Sequence, residues 1–111
     1  MAAKIEVLVV DDSAFMRKVV SELLEEHENI KVVDRARNGV DALKKLEMYT
    51  PDVITLDVEM PKMDGIEFLR RLMAKKPIPV VMLSSVTSEG SRATIEALEL
   101  GAFDFIPKPS G

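Results

Sequence analysis

Cysteine is absent from the 111 residues, which excludes disulfide scaffolds and thiolate metal sites. Long apolar runs are absent too. None approaches the ~18 residues of a membrane span, and the N-terminus has no secretory hydrophobic region, so no membrane insertion is expected and a cytoplasmic location is. An excess of positive charge is also lacking. The net charge is −4, which gives no general attraction to nucleic acid or to an anionic membrane. The densest basic pairs, Arg70-Arg71 and Lys75-Lys76, read as solvated helix faces. Histidine occurs once, as His27 in the polar, acidic stretch EEHEN, where it is expected to be exposed and without a catalytic role. No repeat, linker or low-complexity segment appears.

What is present describes a folded domain. Hydrophobic residues make up 47% and charged residues 31%, away from the composition of disordered chains, and the length suits one domain with a real core. Five short runs rich in Val, Ile and Phe, at 5–10, 30–36, 53–56, 79–83 and 103–107, read as strands. Several are almost continuously apolar, as in a sheet covered on both faces. Between them lie amphipathic stretches. Helices are predicted from Ser13, over 38–48, from Asp64 as N-cap with Glu67 in a capping-box position, and from about Ser91 to Leu100, with Gly101 as the residue just past the end. The methionines at 16, 60, 63, 73 and 82 read as core or turn filling. Strict strand–helix alternation with short connections implies an α/β, doubly wound parallel sheet. The chain stops at KPSG, just after the fifth strand. A last helix is therefore missing from the pattern, a fragment of a longer protein is expected, and an exposed apolar patch is expected near strand five.

In such sheets ligands bind beyond the carboxyl ends of the strands, and that is where the polar residues fall. Asp11 and Asp12 end the first strand, Asp57 the third, Ser84 and Ser85 the fourth, and Lys108 follows the fifth. Three carboxylates against one ammonium leave two negative charges. A hard divalent cation would neutralise them, and oxygen-only donors suit Mg²⁺ with a position open to a phosphoryl oxygen. A carboxylate such as Asp57 can act as a nucleophile toward phosphorus. Each piece has a plainer reading: Asp12 or Ser13 as a helix cap, Asp57 as a strand-end acid, Ser84 or Ser85 as loop hydroxyls. The combination points to chemistry.

VDDSAFMR, PDVITLDVEMPKMDG, VVMLSS and FIPKP resemble, in order and spacing, the receiver (response regulatory) domain of two-component response regulators. The resemblance covers nearly the whole of 1–111 and implies a flavodoxin-like sheet of order 2-1-3-4-5. It implies Asp57 as phosphoacceptor from a histidine kinase, and a Mg²⁺ site from Asp11, Asp12, Asp57 and the backbone carbonyl of Glu59. It further implies Ser84 as switch hydroxyl, Phe105 as switch aromatic, Lys108 as phosphoryl contact, and a cis Lys108–Pro109 peptide. DDSAFMRKVV and ALELGAFDFIPKPSG are most similar to the N-terminal regulatory domain of chemotaxis protein-glutamate methylesterases. That adds, as expectations, a chemotaxis histidine kinase, a C-terminal methylesterase/deamidase domain not present here, and chemoreceptors reached through it. The alternative is a single-domain or transcriptional receiver with another output partner. A flavin binder is disfavoured by the acidic DDSAFMR loop. A haloacid-dehalogenase-type phosphatase is disfavoured by Glu59 where it needs aspartate.

Overall fold

A computed structural model describes residues 3–60, 64–85 and 88–109. The elements run β1 (Ile5–Val10), α1 (Ala14–Glu25), β2 (Ile30–Ala36), α2 (Gly39–Lys45), β3 (Val53–Asp57), α3 (Asp64–Lys75), β4 (Val80–Ser84), α4 (Ser88–Leu100) and β5 (Asp104–Pro107). All strands pair in parallel, in the order β2-β1-β3-β4-β5. This is the expected doubly wound sheet. Among the described residues no helix follows β5, and no helix is long and apolar enough to cross a membrane.

Two apolar layers sandwich the sheet. Alternate residues Leu8, Val10, Ile54, Leu56, Val80 and Met82 pack on one face with Ala42, Phe68, Leu69, Leu72 and Ala97 from α2, α3 and α4. The other face carries a smaller cluster of Val7, Val9, Val32 and Leu83 under Val20 of α1. Because β3 is central and covered on both sides, Ile54 to Asp57 are consecutively buried, which explains the near-continuous apolar run in the sequence. At the edge, β5 is exposed along its whole length. Phe103, Phe105 and Ile106 are exposed apolar side chains there, so the expected patch is present.

Local chemistry sets the element ends. Ser13, in extended conformation, caps α1 by accepting from the Met16 N–H, so Asp12 is not needed for that task. Asn38 does the same for α2 through the Asp41 N–H. Gly101 has φ +116. Its N–H donates to Leu98 and that of Ala102 to Ala97, a Schellman end that needs a left-handed residue.

Bounds of β3, β4 and β5 differ from expectation by one residue, and three helices differ as well. α4 begins at Ser88, not Ser91, because polar Ser88–Gly90 carry no apolar periodicity to reveal a first turn. α2 stops at Lys45, and hydrogen bonds of turn type carry the chain on to Tyr49. Asp64 is already the first helical residue of α3 rather than its cap, a shift of one position. Glu67 does not reach back but pairs forward with Arg70 and Arg71, since i,i+3 and i,i+4 cations compete for its carboxylate. Met60 and Met82 are buried and Met16 and Met73 half-buried, as expected; Met63 lies outside the described residues. His27 is exposed.

The packing predicts where stability resides. Phe68 is 1% exposed and Phe103 75%. Phe68→Ala is expected to cost about 3–5 kcal/mol in urea unfolding, and Phe103→Ala under about 1 kcal/mol. Equal losses at both positions would contradict this assignment of the core.

Candidate functional site

Asp11 extends β1 by one residue, its N–H donating to the Ala36 carbonyl at 3.0 Å. An irregularity in the β1–β2 register between Val7 and Leu8 sets that alignment. The Arg17 guanidinium, one turn into α1, donates to the Asp11 carbonyl at 2.8 Å, and the Ser13 N–H donates to Asp11 Oδ1 at 2.9 Å. The carboxylate is therefore held by the turn entering α1. Its second oxygen, Oδ2, is buried and has no hydrogen-bond partner.

Asp57 ends the central strand. The Glu59 N–H donates to its Oδ1 at 2.9 Å, and Lys108 Nζ lies 3.0 Å from the same oxygen. Asp12, exposed, completes a cluster in which one oxygen each from Asp11, Asp12 and Asp57 lie within 4.8 Å of one another. Gly65, at the start of α3, packs over this strand end. A Cβ there would meet the Asp57 carbonyl at 2.9 Å, so only glycine lets α3 approach. Sequence reasoning missed Gly65, although a glycine one residue into a helix is itself a signal of close approach.

Burial dominates the electrostatics. It pushes the Asp11 carboxyl up to about 6, against the Ser13 N–H and helped by the charge of Asp57. It also raises Asp57, with the Glu59 N–H and Lys108 opposing in part. Burial works against the Lys108 ammonium as well, but its hydrogen bond to Asp57 and the fields of Glu59 and Asp11 hold its pKa above the ordinary lysine value. The cluster is short of positive charge, and an unpartnered buried carboxylate oxygen is costly. These donors fit a small hard cation: all are oxygen, and the orphaned Asp11 Oδ2 lacks the partner that an ion would provide.

Of the remaining predicted residues, Ser84 and Glu59 stand at the same edge, while Phe105 lies within β5, paired with Met82. Ser84 ends β4, is 7% exposed, and pairs with Pro107; its carbonyl accepts from the Lys108 N–H at 2.9 Å. Phe105 projects 47% exposed from β5 and shares with Ser84, Thr94, Ile95 and Leu98 a groove of about 360 Å³ between α4 and β5. Glu59 brings more than its main chain. Its carboxylate accepts from the Ser85 N–H at 2.9 Å and the Ser85 hydroxyl at 2.7 Å, and lies 3.6 Å from Lys108 Nζ. It thereby ties the end of β3 to the end of β4. The cis Lys108–Pro109 peptide is not found: no described peptide bond is cis. Trans is favoured by about 0.5–1 kcal/mol in X–Pro bonds unless contacts lock the other isomer. Lys108 reaches both Ser84 and Asp57 with the trans bond.

Comparison with known proteins accords with this geometry. The response regulator receiver domain model matches residues 7–111. A protein-glutamate methylesterase/protein-glutamine glutaminase of Halalkalibacterium halodurans is 60% identical over the whole chain, which covers 32% of that protein. The chain thus spans about a third of the length of the curated relatives it matches. The response regulator domain of Thermotoga maritima CheB superposes with a TM-score of 0.85 at 52% identity, covering 97% of this chain and 81% of that one. A structure of the P1 domain of CheA3 in complex with CheY6 from R. sphaeroides matches with a TM-score of 0.83 at 43% identity, covering 99% and 86%. With motif order, sheet order and the acidic edge in agreement, the chain belongs to the response regulator receiver domain family and is related to the chemotaxis methylesterase CheB.

Proposed function

We propose that this chain is the phosphorylation-controlled regulatory domain of a chemotaxis protein. It accepts a phosphoryl group on Asp57 from a chemotaxis histidine kinase, with Mg²⁺, and controls a C-terminal methylesterase/deamidase domain that acts on chemoreceptors. The observation that carries the reading is the Asp11–Asp12–Asp57 cluster with a buried, unpartnered Asp11 oxygen beside a lysine-bound Asp57. The relationship to methylesterases, of which the chain covers about a third, supports the output.

The resemblance suggests a role for each residue, and the geometry supports several of them. Oδ1 of Asp57 takes both the Glu59 N–H and Lys108, which leaves Oδ2 as the nucleophile. Its lone pair forms the O–P bond as the P–N bond to the donor imidazole breaks, and that nitrogen takes a proton from solvent. Lys108, bound to Oδ1 of the same carboxylate, would follow the phosphoryl oxygens. Asp11, Asp12, Asp57 and the Glu59 carbonyl would hold Mg²⁺, which supplies charge neutralisation when bound. Ser84 then donates to a phosphoryl oxygen, and Phe105 turns into the groove between α4 and β5 that both residues line.

Intact-mass measurement after incubation with acetyl phosphate tests the chemistry. One phosphoryl adduct is expected with Mg²⁺, none with chelator, and none in Asp57→Asn. A folded, Mg²⁺-binding protein that gains no adduct would overturn the proposal.

The cost of the cluster is separately measurable. The folded pKa of Asp11 near 6 stands above its ordinary 3.8. The preference for the neutral acid is fully present below pH 3.8 and is lost as pH rises through 6. At pH 7.5 in chelator, Asp11→Asn is therefore expected to be more stable than the parent by on the order of 2 kcal/mol, with the gap shrinking at pH 5. Mg²⁺ should stabilise the parent alone. A variant less stable than the parent in chelator at pH 7.5 would contradict the account.

A further inference from the structure

The seam between α2 and α3 is far from filled. Two adjoining hollows, of about 240 and 140 Å³, run along it and share Leu43 and Arg71 as lining residues. Leu43, Leu46, Leu72 and Ile78 make the larger one apolar inside. Val40, which lines the smaller, is 62% exposed. Apolar surface thus continues from the floor of the seam out to solvent.

The rim has one sign of charge in excess. Residues 70–76, RRLMAKK, hold four of the chain's fifteen Lys/Arg and no acid. Of these, Arg71, Lys75 and Lys76 line the larger hollow, and Glu47 is its one acidic lining residue. Arg71 is paired through Nε with Glu67, which lines the smaller hollow. Lys75 and Lys76 make no ion pair among the described residues; Lys76 reaches only the Thr50 hydroxyl, at 3.4 Å. On a chain of net charge −4, this concentration of cations is a local inversion of the overall field. The residues that carry the acidic edge and the groove between α4 and β5 take no part in it.

An apolar trough with a cationic lip selects its occupant. A free hydrophobic surface would gain the floor but leave Lys75 and Lys76 partly desolvated and unpaired, and a purely acidic segment would be weakly held by exposed charges. A segment with apolar residues at helical spacing and carboxylates beside them satisfies both. We propose that the α2–α3 seam is a docking site for an acidic amphipathic segment of another polypeptide, its apolar side chains over Leu43, Leu46 and Leu72 and its carboxylates on Arg71, Lys75 and Lys76. This surface is independent of the phosphorylation chemistry. The cations guide approach and set register, and the apolar floor provides affinity.

The test uses the 111-residue chain, ¹⁵N-labelled, titrated with three synthetic peptides. One is an amphipathic helix-former with Leu at i, i+3, i+4 and i+7 and Glu flanking; the second has every Glu replaced by Lys; the third has the acidic composition in scrambled order. The expected result is that the first alone shifts amide signals of residues 43–49 and 71–78. Its affinity should fall at least tenfold in Lys75→Glu/Lys76→Glu and at 0.5 M salt, while the double variant keeps the parent's spectrum elsewhere and its urea midpoint. Equal binding of the lysine or scrambled peptide, shifts confined to other faces, or no saturable shift would overturn the proposal. So would concentration-dependent shifts of the seam without peptide, which would assign it to a second copy of this chain.

Discussion

Repulsion among Asp11, Asp12 and Asp57 is the constraint around which the strand ends of this protein are arranged. Two unit charges about 4 Å apart cost roughly 1 kcal/mol in water and about 4 kcal/mol at the effective dielectric near a protein surface. Two of the three carboxylates are almost fully buried, so the repulsion is not dissipated by solvent. The fold tolerates it with fixed donors: the Ser13 and Glu59 N–H groups and the Lys108 ammonium. These suffice to hold the geometry and fall short of neutralising it. Burial, with the neighbouring carboxylates adding to it, raises the pKa of both Asp11 and Asp57 against those donors. Stability is given up at the acidic edge, the place proposed above to take a divalent cation.

The strands and their ends were legible because they rest on short-range signals, whereas the sheet order 2-1-3-4-5 came from the family resemblance. Val-Ile runs define strands, and a central strand buried on both faces reads as continuous hydrophobicity, as VITLD does. Parallel topology then sends Asp11, Asp57, Ser84 and Lys108 to one edge. What was not legible depended on neighbours distant in sequence. Nothing in the local sequence tells that the Glu59 carboxylate crosses to Ser85, 26 residues on, instead of pointing to water. The first turn of α4 was hidden for a different reason: its core contact comes later, at Thr94 and Ala97. The Lys108–Pro109 isomer came from resemblance alone, and a local preference of under about 1 kcal/mol prevailed.

Rigidity is distributed unevenly, in a way that suits a switch. Asp57 stands at the end of the most enclosed strand, between two packed layers. Ser84 and Phe105 stand one and two strands outward, and β5 is exposed throughout. Displacing Phe105 disturbs few buried contacts, whereas displacing Asp57 would disturb the core. Local opening concentrates where burial is least. A charge change at a fixed point can therefore be answered by movement at the edge without loss of the sheet.

The acidic edge and the larger, basic hollow of the seam lie at opposite ends of β3, since Asp57 closes that strand while Tyr49 and Ile78 precede β3 and β4. Five strand residues at about 3.3 Å each separate them by roughly 15 Å, beyond the Debye length of about 8 Å at physiological ionic strength. Charge at one end is largely screened from the other. Contact is a different matter, because α3 touches both: Gly65 lies against the Asp57 carbonyl, and Arg71 and Lys75 line the seam two to three turns later. Between them Phe68, Leu69 and Leu72 are locked in the core. Any communication between Asp57 and the seam must therefore pass through a small rigid shift of α3, which a well-packed core transmits and a field across salt solution does not.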